Sequence, residues 1–308
     1  YLADTFVYGD VALSMPDVNV VIDGNNQTWT GGSIAVTGSG VGSLTIQNLQ
    51  VDGSGLDRRA LVNTAAAGTL RLRNMTFSSC AYGAITLETT DLLNAFTVIE
   101  GTRIYNNNAW NTAPAIWLGP SANLELNYST IEDNYSTGGG YEGGAVSSKS
   151  YAAALNINNS VFMNNINGCV NTGILGGGGS AMAFHYFYGN ITISESYFYQ
   201  NSTSGAGIEI KSTYDGGAIY ILDGRDGANL VIDKTTFESN LAYDDVGALM
   251  IRGTGNPGLT TTITNCTFYD NKAYGADMTH YAGGAIQFFK NGGSSKMVNH
   301  VRNCTFVG

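Results

Sequence analysis

Positive charge, histidine and long apolar runs are scarce in this chain. Only 12% of its 308 residues are charged, and 14 Lys and Arg against 24 Asp and Glu give a net charge of −10. Such a negative charge argues against nucleic acid as a partner. No apolar run is long enough to cross a bilayer, so we predict no membrane-spanning segment in this chain.

The patterns of common catalytic and metal sites are missing as well. The chain contains no His-Gly, Arg-x-Lys, G-x-S-x-G, Walker loop or paired C-x-x-C. His185, His280 and His300 are far apart in the repeat described below, which argues against a metal triad. We therefore predict no metal site and no cofactor.

Clustered carboxylates, which a polysaccharide-active enzyme needs, are also few. Asp244 and Asp245 form the only Asp-Asp pair, and the nearest match to a lyase site is Asp223, Arg225 and Asp226 in L-D-G-R-D-G. Both groups are better explained as turn residues between strands.

A repeat of 27 to 39 residues occupies most of the chain. In each copy two apolar residues alternate, an Asn or small polar residue follows, and x-x-Phe or x-x-Ile closes the phrase, as in I-T-N-C-T-F. The closing residues are Phe77, Ile104, Ile131, Phe162, Phe198, Phe237, Phe268 and Phe306. Strand-forming residues without a helical period predict a stacked solenoid of about nine coils.

Two further motifs recur in most copies. An Asn follows the closing residue by three positions, as Asn271 follows Phe268, and a later G-G-A-I or G-G-A-V opens an apolar strand, as at Gly283 to Ile286. Each copy therefore supplies three short strands, which predicts a coil of triangular cross-section.

The spacing of the inward residues predicts where each coil bends. Ile263 and Phe268 are five positions apart, so both point inward only if the chain bends at Asn265. Asn tolerates left-handed backbone angles, and corner amides stacked at about 4.8 Å would bond one another along the axis. The alternative is that these asparagines are ordinary loop residues.

The repeat runs without a linker, which predicts a single elongated domain. We place the β-helix repeats at residues 43–308 and an N-terminal cap with the first coil at residues 1–42. The chain stops in the middle of a coil, so we expect that end either to continue beyond Gly308 or to be covered by another subunit.

F-x-x-N alternating with G-G-A-[I/L/V] resembles the repeat of the chlamydial polymorphic membrane proteins and related bacterial and protist surface proteins. These belong to the wider right-handed parallel β-helix, pectin-lyase-like class, and the resemblance covers roughly residues 69–306. It implies an all-β, right-handed parallel β-helix that is secreted or surface-displayed and acts in adhesion, with no catalytic residues to carry over. Cys80 departs from the pattern because it stands where the motif has Asn.

The connections that follow the motif Asn vary in length, and the longer ones would stack into one face of the solenoid. Tyr precedes the glycines in Y-E-G-G, Y-D-G-G and Y-A-G-G, and Tyr beside carboxylates suits the binding of glycans or proteins. The alternative is that these rings only cover the end of the sheet. The candidate ligand-binding residues are Tyr141, Glu142, Tyr214, Asp215, Tyr243, Asp244, Asp245 and Tyr281.

Nine N-glycosylation sequons occur, and six of them coincide with the corner or motif asparagines that the solenoid itself requires. Asn26, Asn127 and Asn190 are the remaining candidates for glycosylation.

The cysteines allow one disulfide. Cys266 and Cys304 occupy the same slot of N-C-T-F in consecutive copies, so their Cα atoms should lie about 5 Å apart, within disulfide range. An oxidising extracellular setting favours this bridge. Cys80 and Cys169 are three copies apart and are not expected to pair.

We therefore expect a non-enzymatic, extracellular or cell-surface glycoprotein, an adhesin-like β-helix that binds surface glycans or proteins. Two alternatives stay open. One is a structural subunit that stacks end to end with copies of itself in a filament or sheath, and the other is a polysaccharide lyase or glycoside hydrolase.

Overall fold

In the computed structural model the described residues form strands and turns and no helix. The structure describes residues 9–89, 91–110, 112–137, 143–168, 178–203, 216–224, 227–243, 245–254, 258–274, 283–290 and 296–308. These residues form ten successive coils, numbered here from the N-terminus, and each coil begins with one strand of a ten-stranded sheet.

Coil 1 consists of β1 (Val11–Ser14) and β2 (Val20–Thr30), and coil 2 of β3 (Ile34–Thr37) and β4 (Ser43–Asp52). Coil 3 consists of β5 (Leu61–Asn63), β6 (Gly68–Arg73) and β7 (Thr76–Ser78), and coil 4 of β8 (Ile85–Leu87), β9 (Ala95–Glu100), β10 (Arg103–Tyr105) and β11 (Asn108–Trp110). Coil 5 consists of β12 (Ile116–Leu118), β13 (Asn123–Asn127), β14 (Thr130–Glu132) and β15 (Tyr135–Thr137).

Coil 6 consists of β16 (Val146–Tyr151), β17 (Ala154–Asn158), β18 (Val161–Met163) and β19 (Ile166–Gly168), and coil 7 of β20 (Met182–Phe187), β21 (Asn190–Ser194) and β22 (Tyr197–Tyr199). Coil 8 consists of β23 (Ile219–Gly224), β24 (Asn229–Asp233), β25 (Thr236–Glu238) and β26 (Leu241–Ala242), and coil 9 of β27 (Leu249–Gly253), β28 (Thr260–Thr264), β29 (Thr267–Tyr269) and β30 (Lys272–Ala273). Coil 10 consists of β31 (Ile286–Lys290), β32 (Val298–Arg302) and β33 (Thr305–Val307).

Equivalent strands of successive coils pair in parallel and in register, so each side chain stacks on its equivalent in the next coil. Sheet A contains the first strand of every coil. An 18-stranded sheet has two halves, which we call B1 (the strands before the bend, such as β13 and β24) and B2 (those after it, such as β14 and β25). Sheet C is the short third side, formed by β11, β15 and β19 and, further on, by β26 and β30.

The bend predicted between Ile263 and Phe268 is confirmed. Asn265 has φ of 55°, and both Ile263 and Phe268 are buried. The long strands β2 and β4 run through the same bend without interruption, and Asn48 there has φ of 53°. This left-handed corner resets the inward alternation between B1 and B2.

The phenylalanines that close the repeats form a stack along the axis, as predicted. The ring centroids are 4.7 Å apart for Phe162 and Phe198, 4.9 Å for Phe198 and Phe237, and 5.0 Å for Phe237 and Phe268. The rings of Phe237 and Phe268 are nearly parallel, with 4° between their planes. The stack therefore fixes the register of coils 6 to 9.

A column of hydroxyl groups lines the inner side of the corner between B1 and B2. In each coil a backbone N–H donates to the hydroxyl oxygen of the next coil, at 3.2 Å from Thr102 to Ser129 and 3.2 Å from Ser129 to Ser160. The same hydroxyls donate to the carbonyl two residues earlier, as Ser196 does to Ser194 at 2.7 Å. These contacts satisfy the buried backbone of the corner.

Cys266 and Cys304 continue this column, and they are free thiols in the structure, so the predicted disulfide is not formed. Each Sγ takes the orientation of the hydroxyls, at 3.0 Å from the carbonyl oxygen of Thr264 and 3.2 Å from that of Arg302. Both sulfurs thus point back along their own strands, although the two residues are neighbours in register.

We expect mass mapping under non-reducing conditions to find both residues as thiols. Burial raises the pKa of Cys266 to about 11, so its reactive thiolate is scarce at pH 8. Cys304 is less buried, so iodoacetamide should modify it first, and alkylation of Cys266 should accelerate as the pH approaches 11. A peptide linking the two cysteines would contradict this assignment.

An asparagine ladder follows the corner between B2 and sheet C. Each side-chain amide donates to the Oδ1 of the next coil, at 3.0 Å from Asn134 to Asn165 and 3.0 Å from Asn165 to Asn201. The backbone N–H of each member donates to the same oxygen, at 3.3 Å from Asn134 to Asn165. The members are Asn107, Asn134, Asn165, Asn201, Asn240 and Asn271.

The ladder therefore lies at the motif Asn after Phe, not at the Asn265 corner where we expected it. At that corner the side chains point outward, and contacts between them are sporadic, such as Asn303 to Asn265 at 3.4 Å and Asn74 to Asn48 at 3.3 Å. Each corner contains a residue with a left-handed backbone: Asn265 at the first corner and Asp270, directly before the motif Asn271, at the second. Only the motif Asn points its side chain inward.

The N-terminal region shares the same architecture. Strands β1 and β2 pair in parallel with β3 and β4, so the described part of residues 1–42 contributes to sheets A and B. The boundary of a cap at residue 42 stays a prediction. Among the described residues no helix has the length and hydrophobicity to cross a membrane.

Candidate functional site

Most of the ligand-binding residues predicted from the sequence lie outside the described residues: Tyr141, Glu142, Tyr214, Asp215, Asp244 and Tyr281. Tyr243 is half-buried, and its backbone N–H donates to the hydroxyl of Thr203 at 3.0 Å. Asp245 is only 1% exposed, which differs from the expectation of a surface carboxylate. Val246 beside it is equally buried, so this turn enters the protein rather than presenting an acid to solvent.

The glycosylation candidates are at the surface to different degrees. Asn26 and Asn190 are exposed, whereas Asn127 is half-buried and donates to Glu125 at 2.8 Å. The side-chain amides of the sequon residues Asn134 and Asn201 are not accessible, because both are buried and hydrogen-bonded in the asparagine ladder. A glycan on either of these two residues is incompatible with this fold.

The outward side of sheet B2 carries four tyrosines in three of its coils, a surface that we call the tyrosine face. Its tyrosines are Tyr105, Tyr197, Tyr199 and Tyr269. Because the closing residues of the repeats point into the core, their immediate neighbours in sequence point out. The tyrosines of this face lie in coils 4, 7 and 9 of a hydrogen-bonded sheet, and Glu132, Met163 and Glu238 occupy the equivalent positions of coils 5, 6 and 8.

Charged side chains hold one end of the tyrosine face. The guanidinium of Arg103 lies 4.0 Å from the ring centre of Tyr105 and forms an ion pair with Glu132 of the next coil. A cation over an aromatic ring is attracted by the electrons of its face. This arrangement fixes the ring of Tyr105 in place.

Two rings in coil 7 lie side by side. The centroids of Tyr197 and Tyr199 are 5.6 Å apart with 15° between the planes, and the Tyr197 hydroxyl donates to Glu238 at 2.6 Å. Desolvation and this hydrogen bond raise the pKa of Tyr197, so its hydroxyl stays protonated at neutral pH. Tyr269 is 47% exposed, so much of its surface is open to a ligand.

A corner groove of about 440 Å³ runs beside the tyrosine face, where sheet B2 turns into sheet C. It crosses coils 5, 6 and 7. Its lining consists of Asp133, Asn134, Tyr135, Asn164, Ile166, Gln200 and Ser202. Amide and carboxylate groups, an aromatic ring and an aliphatic side chain thus meet in one open depression, and none of its described lining residues is a lysine or arginine.

Together the tyrosine face and the corner groove offer rigid aromatic area with polar groups at its edge. Such surfaces bind ligands by burial of apolar area and orient them by hydrogen bonds. Among the described residues no group of three or more His, Cys, Asp or Glu side chains is placed to hold a metal ion.

Sequence reasoning missed the tyrosine face, although a signal was present. Tyr105, Tyr199 and Tyr269 each follow the closing residue of a repeat directly, and Tyr197 precedes one. Alternation about an inward Phe or Ile predicts that all four point outward, with Tyr105, Tyr199 and Tyr269 in one register column and Tyr197 in the parallel one.

A family model described as a right handed beta helix region matches residues 8–149. The match ends within β16, and with the all-parallel sheets it confirms the predicted all-β, right-handed parallel β-helix. This family is compatible with adhesin-like and with pectin-lyase-like proteins. Comparison with curated proteins and with solved structures gave no match.

Proposed function

We propose that this protein is a non-enzymatic, adhesin-like β-helix that works outside the cell or at its surface and binds glycans or proteins. The observation that carries the proposal is the tyrosine face, four partly exposed rings in coils 4, 7 and 9 held on a sheet that does not need to reorganise on binding. Preorganised aromatic surface lowers the entropic cost of binding.

The sequence motifs support the same function. The paired F-x-x-N and G-G-A-[I/L/V] motifs resemble those of the polymorphic membrane proteins, whose bacterial members act in adhesion. Exposed sequons at Asn26 and Asn190 suit an extracellular glycoprotein. A polysaccharide-active enzyme of the same fold is the alternative, and it requires a carboxylate cluster.

Removal of rings from the tyrosine face should weaken binding. We expect Tyr105→Ala and Tyr269→Ala each to reduce affinity about fivefold or more, because aromatic anchors carry much of the energy of such interfaces. The measurement is binding of the purified protein to a glycan array and to intact cells, followed by titration with the strongest ligand. Tyr82→Ala, an exposed tyrosine outside the face, is the matched control.

Equal binding by the wild type and both face variants would contradict a role for the tyrosine face. Release of product from pectin, alginate or the bound glycan would instead favour the enzyme. Fibres of the protein alone under the electron microscope would favour the filament alternative.

A further inference from the structure

Three polar side chains form a column at the bend between sheets B2 and C in coils 5 to 7. Asp133, Asn164 and Gln200 all have left-handed backbones, with φ of 52°, 54° and 50°. The backbone N–H of each donates to the next coil, for example from Asn164 to Tyr199 at 3.0 Å. The column is therefore fixed at the coil spacing of about 4.8 Å.

The polar ends of these three side chains are available. Within the described part of the chain, Asp133, Asn164 and Gln200 have no hydrogen-bond or ion-pair partner for their side chains. In coil 9 of the same column, Asp270 has such a partner, Lys272, at 2.8 Å. In coils 4 and 8 the equivalent described residues, Asn106 and Ser239, have no side-chain partner either, and what distinguishes coils 5 to 7 is the corner groove that opens beside their column.

The opposite wall of the groove is apolar in coils 5 and 6 and carries Ser202 in coil 7. Tyr135 and Ile166 are register partners in sheet C, and both are half-buried. Gly168 gives the ring of Tyr135 its place, because a Cβ there would lie 2.6 Å from the Tyr135 hydroxyl oxygen. The ring of Tyr135 therefore packs over Gly168 and lines the groove.

A sugar ring fits this combination of groups. Its hydroxyls pair with amides and a carboxylate, which supply both donors and acceptors, and its apolar C–H face packs on an aromatic ring. An acidic sugar is disfavoured, because Asp133 lies in the groove, no Lys or Arg is among the described residues that line it, and the net charge is −10. The coil spacing is also close to the advance per residue of an extended pyranose chain.

We propose that the corner groove binds an uncharged oligosaccharide that runs along the solenoid axis, with one sugar opposite each of coils 5, 6 and 7. This inference rests on the proposed binding function and assigns a ligand class to it. Asn164 and Gln200 bond the sugar hydroxyls, Asp133 accepts a further hydrogen bond, and Tyr135 packs on a sugar face.

Titration calorimetry with cellotetraose, chitotetraose and tetragalacturonate tests this assignment. At least one uncharged tetrasaccharide should bind about tenfold or more tightly than the acidic one. Tyr135→Ala should weaken that binding about tenfold, and Asn164→Ala about fivefold. Tyr128→Ala removes an exposed tyrosine at the other corner of coil 5 and should leave binding unchanged.

The remaining outcomes separate the groove from the tyrosine face. Wild-type affinity in both Tyr135→Ala and Asn164→Ala, with loss in Tyr269→Ala, would overturn the groove and leave the proposed function standing. Preference for tetragalacturonate, or binding of a protein ligand but of no tetrasaccharide, would overturn the ligand class. If Tyr135→Ala does not fold, Asn164→Ala with Tyr135→Phe, which keeps the ring, decides the same question.

Discussion

Phe237→Ala should lower the free energy of unfolding by roughly 3 to 5 kcal/mol, the range for a fully buried phenylalanine replaced by alanine. Phe237 is completely buried between Phe198 and Phe268, whose ring centres lie 4.9 and 5.0 Å away. The substitution removes two stacking contacts at once and leaves a cavity that the rigid coils cannot close. Urea unfolding followed by circular dichroism measures the loss.

Thr236→Ala is the matched control for this experiment. Thr236 neighbours Phe237 in β25 but points outward, so its replacement should change stability by no more than about 0.5 kcal/mol. Similar small losses for both variants would show that Phe237 does not fill the core and would refute the register of the stack.

Asn165→Ala should lower the free energy of unfolding by about 4 kcal/mol. Its amide donates to Ile131 at 2.8 Å and to Asn201 at 3.0 Å, and its Oδ1 accepts both the backbone and the side-chain N–H of Asn134. Alanine loses all four hydrogen bonds, each worth about 1 kcal/mol, and leaves buried groups without partners. The same urea titration measures the effect.

Asn156→Ala controls for the loss of an asparagine in the same coil. Asn156 is exposed on the outward side of β17, so we expect a change within about 0.5 kcal/mol. Equal effects of the two substitutions would refute the ladder, because the exposed amide of Asn156 makes none of the ladder's hydrogen bonds.

The coil register could be predicted because a large residue marks it in every repeat. Phe237 and Phe268 are separated by many residues in sequence, yet only one stacking arrangement buries both. The asparagine ladder was placed at the wrong corner for a related reason. Asn265 and Asn271 lie on opposite sides of Phe268, and only the geometry of the two bends decides which amide points inward.

The corner groove could not be predicted from the sequence. Asp133, Asn164 and Gln200 each precede the motif Asn, so their alignment follows from the repeat, but they share no residue type and nothing in the sequence indicates that a groove opens beside them. Likewise, nothing in N-C-T-F distinguishes a thiol that takes a hydroxyl's place from one that forms a disulfide. The difference depends on the side-chain rotamer that the corner imposes on Cys266 and Cys304.

The asparagine ladder has a direction, and this gives the solenoid an electrical polarity. From Asn107 to Asn240, one N–H of each side-chain amide donates to the Oδ1 of the next coil and the other N–H donates to a main-chain carbonyl of the preceding coil. Every Oδ1 thus faces the N-terminal coils, so the carbonyl dipoles of these side chains share one direction and polarise one another. The negative end lies at Asn107, where the backbone N–H of Cys80 donates to the last oxygen at 3.0 Å.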